Sequence, residues 1–231
     1  MSSTPPIVVF DLDGTLADTA PDLIATLNVI MAQEGLPSVP LDDARDLIGA
    51  GARAMISKGF ERAGLELAPD RLDPLFQTFL TIYGEHLCDG SRLFPGVPEA
   101  LDTLSARGFR LAVCTNKVVS HSLQLLEALG IAGRFAAICG RDSFPYFKPD
   151  PRHLTLTIAQ AGGDAGRAIM VGDSRTDVAT AKAAGIPVVG VTFGYTETPI
   201  EHLDPDIVID DYAKLADAVA RLGAGWAGLD G

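Results

Sequence analysis

The strongest constraint on the fold is a short apolar run, Ile7–Phe10, which is followed directly by the polar residues Asp11, Asp13, Gly14 and Thr15. The run is continuous and rich in β-branched residues, which predicts a strand buried on both faces, as in parallel sheets. The polar residues would then lie in a loop at the carboxyl end of that strand, where open α/β sheets bind ligands. Two carboxylates this close repel each other, and a cation is the simplest compensation.

The composition limits the classes of partner. The chain has 231 residues, 47% of them hydrophobic, which is enough for one large domain or for a domain with an insert. Its net charge is −12, whereas proteins that bind nucleic acids or anionic membranes are usually basic. We therefore expect neither partner, and any anionic substrate must be attracted by local cations.

The cysteines and the first residues indicate a compartment. The three cysteines form no CxxC pair, and their odd number makes no disulfide framework, which is typical of a reducing compartment. The first six residues have no basic residue and no apolar core, so they do not resemble a signal peptide. No apolar run approaches the roughly 20 residues of a membrane-spanning helix. These patterns predict a cytoplasmic protein.

Residues 17–90 form a segment with helical patterns only. The predicted helices are Thr19–Glu34, Leu41–Ile48, Ala52–Ala63 and Pro69–Leu87. Because the segment is too long for a loop in a compact domain, we expect an inserted all-helical cap domain, with residues 1–16 and 91–231 forming the core. Its hinges are expected near Thr15–Asp18 and Gly90–Phe94.

After residue 94, short apolar strands alternate with helices. The predicted strands are Arg110–Cys114, Ala136–Cys139, Ala168–Val171, Pro187–Val191 and Ile207–Ile209. The predicted helices are Val97–Arg107, Ser120–Leu129, Pro151–Ala161, Thr176–Ala184 and Tyr212–Leu222. This alternation implies right-handed crossovers and an α/β fold with a doubly wound parallel sheet.

Polar residues also follow the later strands of this sheet. Thr115-Asn116-Lys117 ends the second strand, Gly172–Asp177 ends the fourth, and Lys148 precedes a helix. Carboxylates without His or Cys suit Mg²⁺, and a lysine, a hydroxyl and backbone amides suit phosphate. Taken singly, each motif has a simpler interpretation: Gly172–Asp177 as a helix N-cap, Lys148 as a surface lysine, and Thr115-Asn116 as an ordinary strand end.

In order along the chain, these residues resemble the four motifs of the haloacid dehalogenase superfamily. The resemblance covers nearly the whole chain and implies a Rossmann-like core with a helical cap. It implies that Asp11 is the nucleophile and Asp13 the general acid and base. It also implies that Mg²⁺ is held by the side chains of Asp11 and Asp173 and by the backbone carbonyl of Asp13, with Asp177 in support.

The same resemblance assigns the phosphate contacts. Gly14, Thr115 and Asn116 would bind the phosphoryl group, and Lys148 would neutralise the nucleophile and the phosphate. In the cap, Arg53 is a candidate contact for a substrate carboxylate, with Lys58 as a second candidate and a solvated cationic face as the alternative. The GxGxxA pattern at residues 49–54 follows a helical run and not a strand, so we interpret it as a tight turn between cap helices.

Within the superfamily, the chain is most similar to bacterial phosphoglycolate phosphatases. The similar stretches are Asp11–Asp22, Thr115–Lys117, Lys148–Pro151, Gly172–Asp177, Ala181–Gly185 and Gly194-Tyr195. The resemblance implies hydrolysis of 2-phosphoglycolate, a small phosphorylated metabolite, to glycolate and phosphate, through an aspartyl-phosphate intermediate, by a monomer or a homodimer.

Several alternatives stay open at this point. The enzyme could be a phosphatase of another small sugar phosphate or a phosphotransferase similar to β-phosphoglucomutase. Phosphonate cleavage would need a Schiff-base lysine in the cap, where Lys58 is the one lysine. A non-enzymatic alternative is a scaffold that binds phosphorylated ligands. Dehalogenation is disfavoured, because the dehalogenases lack an acidic residue equivalent to Asp13.

Overall fold

The computed structural model describes residues 4–41, 47–48 and 51–226. Six parallel strands form one sheet in the order β5-β4-β1-β6-β7-β8, and β2 and β3 form a separate antiparallel pair. The strands are β1 Ile7–Phe10, β2 Ala17–Asp18, β3 Arg92–Leu93, β4 Arg110–Cys114, β5 Ala137–Cys139, β6 Ala168–Gly172, β7 Val188–Val191 and β8 Ile207–Ile209.

Eight α-helices are described. They are α1 Ala20–Gln33, α2 Ala52–Arg62, α3 Pro69–Glu85, α4 Val97–Ala106, α5 Val119–Ala128, α6 Pro151–Gln160, α7 Arg175–Ala183 and α8 Leu215–Leu222. Residues 42–46 of the helix predicted over Leu41–Ile48 and residues 49–50 of the turn predicted at 49–54 lie outside the described residues. In the described part of that turn, Gly51 is the N-cap of α2, and the helix begins at Ala52. Among the residues that the structure describes, no helix has the length and apolarity needed to cross a membrane.

The main sheet is covered on both faces, and β1 shows why its sequence is apolar throughout. Val8 and Phe10 belong to one buried cluster with residues of α4, α5 and α8. Ile7 and Val9 belong to another, with residues of α6 and α7. Since successive side chains of a strand point to opposite faces, a strand between two helical layers has no polar face. The predicted α/β, Rossmann-like doubly wound sheet is therefore confirmed.

Helices α1, α2 and α3 share a third hydrophobic cluster. Leu27, Phe60 and Phe79, one from each helix, are at most 1% exposed in it. Tyr195, from the loop after β7, also packs into this cluster. The predicted segment 17–90 thus contains helices with a core of their own, and its assignment as a cap domain stays a prediction.

Two short connections join these helices to the sheet. The prediction placed Ala17 and Asp18 in the helical segment, whereas they form β2 and pair with Leu93 and Arg92 of β3. Two-residue strands escape pattern analysis because an alternating pattern needs at least four residues.

The second connection, at Gly90–Leu93, is hydrogen-bonded to Asp22 at the start of α1. Its carboxylate accepts hydrogen bonds from the backbone N–H of Gly90 (2.7 Å), the backbone N–H of Ser91 (2.8 Å) and the Ser91 hydroxyl (2.6 Å). Asp22 is only 5% exposed. A buried carboxylate is stable only with such donors, so Asp22 ties the second connection to the start of α1.

We expect Asp22→Ala to lower the free energy of unfolding by about 2–4 kcal/mol, because it leaves buried N–H groups without an acceptor. Urea denaturation would measure the change. The matched control is Asp102→Ala, which removes an exposed ion pair with Arg134 and should cost less than about 1 kcal/mol. Equal losses in the two variants would contradict the role of Asp22.

Candidate active site

The loop after β1 places Asp11 at the carboxyl edge of the sheet. The backbone N–H of Asp11 donates to the carbonyl of Val171 in β6, at 3.0 Å. Gly14 has a φ of +79°, and a Cβ there would lie 2.5 Å from Oδ2 of Asp173. Only glycine fits this turn, because the backbone is left-handed and Asp173 occupies the space of a side chain. Gly14 therefore brings the β1 loop against the β6 loop.

Lys148 lies between two of the predicted carboxylates. Its Nζ atom is 2.9 Å from Oδ1 of Asp11 and 2.6 Å from Oδ1 of Asp177, and the side chain is 2% exposed. Burial alone would lower the pKa of Lys148, but the two carboxylates outweigh it and hold the pKa above its usual value. Lys148 is thus a buried, charged residue, and its interpretation as a surface lysine is wrong.

Three buried carboxylates meet at this point. Asp11, Asp173 and Asp177 each offer an oxygen, and these oxygens lie within 4.8 Å of one another. Burial raises the pKa of Asp11 to about 6 although Lys148 opposes it, and burial together with Asp177 and Asp11 raises the pKa of Asp173 well above its usual value. One lysine does not balance three carboxylates, and a hard divalent cation such as Mg²⁺ fits the remaining charge and the oxygen donors.

Asp173 is held in place by two donors. The Thr15 hydroxyl donates to its Oδ1 and the backbone N–H of Tyr195 donates to its Oδ2, both at 2.7 Å. The Tyr195 hydroxyl in turn donates to Asp18 and accepts from the backbone N–H of Ala20, at 2.9 Å. Tyr195 therefore contacts both the carboxylate cluster and the first connection to the helices.

Asp177 has both of the roles that its sequence left open. Ser174 is the N-cap of α7 and forms a capping box with Asp177. Oδ2 of Asp177 accepts from the Ser174 hydroxyl at 2.7 Å, while Oδ1 binds Lys148. The helix cap therefore orients the carboxylate that holds the lysine, and the supporting role of Asp177 toward a metal stays a prediction.

The side chain of Asp13 has its hydrogen-bond partners outside the carboxylate cluster. It accepts from the Thr19 hydroxyl at 2.7 Å and from Nζ of Lys117 at 2.9 Å. Lys117 also donates to the hydroxyl of Tyr83 in α3, at 2.8 Å. Asp11 and Asp13 thus have different partners, and their roles stay predictions.

Thr115 and Asn116, after β4, are brought to the same edge. The Thr115 hydroxyl accepts from the backbone N–H of Lys117 at 3.2 Å, and Nδ2 of Asn116 donates to the carbonyl of Lys148 at 2.9 Å. Asn116 therefore also ties the β4 loop to the segment that carries Lys148.

These residues border a cavity of about 160 Å³ between the sheet edge and the helices. The predicted site residues that line it are Asp11, Asp13, Arg53, Thr115, Asn116, Lys148 and Asp173. Of the two cap candidates, Arg53 lines the cavity and pairs with Asp73 at 2.6 Å. Lys58 is paired with Glu197 instead. Lys58 is also not among the described residues that line the cavity, which counts against a Schiff-base role there.

Pattern analysis did not identify several residues of the cavity. Lys117 directly follows Thr115-Asn116 in the sequence, and the need of the Asp13 carboxylate for a cation is the signal that could have assigned it. Tyr83, His121 and Arg141 also line the cavity. They belong to no motif, and only the packing of α3, α5 and the loop after β5 brings them there.

Comparisons with known proteins agree with this geometry. The model of the protein family haloacid dehalogenase-like hydrolase matches residues 8–191 of this chain. The chain is 49% identical to a phosphoglycolate phosphatase of Agrobacterium fabrum, over 95% of both chains. It is 46% identical to one of Caulobacter vibrioides, over 93% of this chain and 91% of the other.

A solved structure extends the similarity to the fold. The chain superposes with a TM-score of 0.85 and 34% identity on the crystal structure of a predicted phosphoglycolate phosphatase from Haemophilus somnus. The match covers 94% of this chain and 99% of the other.

We expect Lys148→Met to lower the free energy of unfolding by about 3 kcal/mol, because it leaves Asp11 and Asp177 buried without their cation. Chemical denaturation would measure the loss. Lys182→Met, which breaks an exposed pair with Asp204 in the same protein, is the control and should cost less than about 1 kcal/mol. A Lys148→Met protein as stable as the control would refute the charge balance described above.

Proposed function

We propose that this chain, which belongs to the haloacid dehalogenase-like hydrolases and is a phosphoric monoester hydrolase, converts 2-phosphoglycolate to glycolate and phosphate. The observation that carries the proposal is the buried contact of Asp11 with Lys148, beside Asp173 and open to a cavity of small-molecule size. The names of the relatives support the choice of substrate.

In the first step, an oxygen of Asp11 attacks phosphorus and forms an aspartyl phosphate, while the bond from phosphorus to the glycolate oxygen breaks. Asp13 acts as the general acid and delivers a proton to that leaving oxygen. Its contacts with Thr19 and Lys117 keep its side chain apart from Asp11, which supports the division of roles. Glycolate then leaves.

In the second step, Asp13 takes a proton from a water molecule, whose oxygen attacks phosphorus. The bond between phosphorus and Asp11 breaks, which releases inorganic phosphate and restores the Asp11 carboxylate. The proton returns Asp13 to its starting state, so the cycle balances. Thr115, Asn116 and the backbone at Gly14 would bind the phosphoryl oxygens, and Lys148 would offset their charge.

The side chains of Asp11 and Asp173 and the backbone carbonyl of Asp13 would hold a Mg²⁺ ion. When bound, the ion supplies positive charge that stabilises the transferring phosphoryl group. The surplus of buried carboxylates over lysine supports this assignment.

We also infer that residues 17–90 act as a cap on a core of residues 1–16 and 91–231. Tyr83 and Arg53 reach the cavity from the helices, and the pair β2–β3 forms the connection. Closure of such a cap excludes water during phosphoryl transfer.

Asp11→Asn should reduce kcat by at least about 10³-fold, because the amide is not a nucleophile, while the protein stays folded. Phosphate release would measure turnover, and circular dichroism would check folding. The control is Asp210→Asn, which alters an exposed residue paired with Lys214. Normal turnover by Asp11→Asn would eliminate the covalent mechanism.

A panel of phosphomonoesters should place 2-phosphoglycolate roughly 10²-fold above an aryl phosphate in kcat/KM. Treatment with EDTA should abolish turnover of every ester, and added Mg²⁺ should restore it. Equal rates for 2-phosphoglycolate and the aryl phosphate would disprove the substrate. Full activity in EDTA would disprove the metal.

A further inference from the structure

Arg141 lines the cavity, and the loops at the edge of the main sheet hold it in position. It follows β5, and its backbone N–H donates to the carbonyl of Lys117 at 2.9 Å. The preceding Gly140 packs so tightly that a Cβ would lie 2.4 Å from the backbone nitrogen of Val119. The loop after β5 is therefore held against the loop after β4, and Arg141 has a defined position.

The other cations of the cavity already have carboxylate partners. Lys148 binds Asp11 and Asp177, Lys117 binds Asp13, and Arg53 binds Asp73. Arg141 makes no ion pair with any residue in the described parts of the chain. Its guanidinium instead lies over the ring of Phe147, 3.7 Å from the ring centroid. Stacking fixes the plane of the guanidinium and leaves its edge free to bind an anion through two hydrogen bonds.

The surroundings of Arg141 also make its positive charge less favourable. Burial lowers the pKa of Arg141, and the positive charge of Arg53 lowers it further. Arg53, from α2, and Arg141, from the core, therefore face the cavity as like charges. An anion bound between them would relieve this repulsion, in a protein whose net charge of −12 disfavours anions elsewhere.

We propose that Arg141 determines substrate specificity by binding the carboxylate of the substrate, together with Arg53. The inference rests on the proposed function, since it needs a substrate with a second anionic group. It differs from the sequence-based expectation, which placed this contact in the helical segment alone.

The order of the strands agrees with this assignment. Arg141 follows β5, which is two strands from β1 and hence roughly 10 Å from the strand that carries Asp11. The phosphate-binding candidates Thr115 and Asn116 follow β4, between the two. A small substrate with its phosphoryl group at Asp11 would lie along this edge and present its other end to Arg141.

The test compares two substrates that differ in one charge. They are 2-phosphoglycolate and its uncharged amide, 2-(phosphonooxy)acetamide, and Arg141→Gln is the variant. For 2-phosphoglycolate, the variant should lose roughly 10–100-fold in kcat/KM, mainly through a higher KM, because a charged hydrogen-bonded contact is lost. For the amide, it should lose less than about threefold, which also shows that the variant is folded and competent in chemistry.

Arg152→Gln is a matched control. Arg152 also stacks on an aromatic ring, 3.6 Å from the centroid of Tyr146, but it is paired with Asp150. It is not among the residues that line the cavity in the described structure. Its substitution should leave both values of kcat/KM within about twofold of the wild type.

The two proposals fail in different ways. If Arg141→Gln keeps the wild-type preference for 2-phosphoglycolate, the role of Arg141 is overturned and the proposed function stands. If Arg141→Gln loses the same factor in kcat/KM on both substrates, the role of Arg141 is overturned as well. If the wild-type enzyme hydrolyses both esters equally well, the choice of 2-phosphoglycolate is overturned.

Discussion

The candidate site depends on the buried ion pair of Lys148 with Asp11 and Asp177. A lysine that is 2% exposed stays charged only because two carboxylates outweigh the cost of its burial. The two acids come from different strand ends, so the lysine also fixes the distance between the β1 and β6 loops. Its own segment is tied to β4 through Asn116. One interaction thereby joins three loops and sets the electrostatics of the nucleophile candidate.

The topology of the sheet explains why residues so far apart in sequence can share a site. Strand β1 lies between β4 and β6, so its end is flanked by the Thr115 loop on one side and the Asp173 loop on the other. All three strands are parallel, and their carboxyl ends therefore share one edge. The helices α1–α3 lie beyond this edge and enclose the cavity.

Much of this arrangement follows from local sequence. The run Ile7–Phe10 is apolar because both faces of β1 are covered, and this pattern predicts both a buried strand and its polar end. The carboxylates, the hydroxyl and Lys148 were predicted from the same reasoning and lie together.

Other contacts depend on tertiary packing and have no local signature. The contact of Lys117 with Asp13 joins side chains from two different loops, and no spacing in the sequence encodes it. Arg53 and Lys58 are both cations on α2, yet among the described residues Arg53 lines the cavity, whereas Lys58 pairs with Glu197. The sequence did not predict the short pair β2–β3, because a strand of two residues is too short to show an alternating apolar and polar pattern.

Tyr195 has a consequence for exchanging parts of this protein. Its backbone orients Asp173, and its hydroxyl binds Asp18 and Ala20 in the first connection to the helices. Its ring packs into the hydrophobic cluster of those helices. If these helices were replaced by a different helical segment, the new segment would need partners for the Tyr195 hydroxyl and a hydrophobic site for its ring. The contacts between the helices and the sheet thus include one residue, Tyr195, that lies far from the helices in sequence.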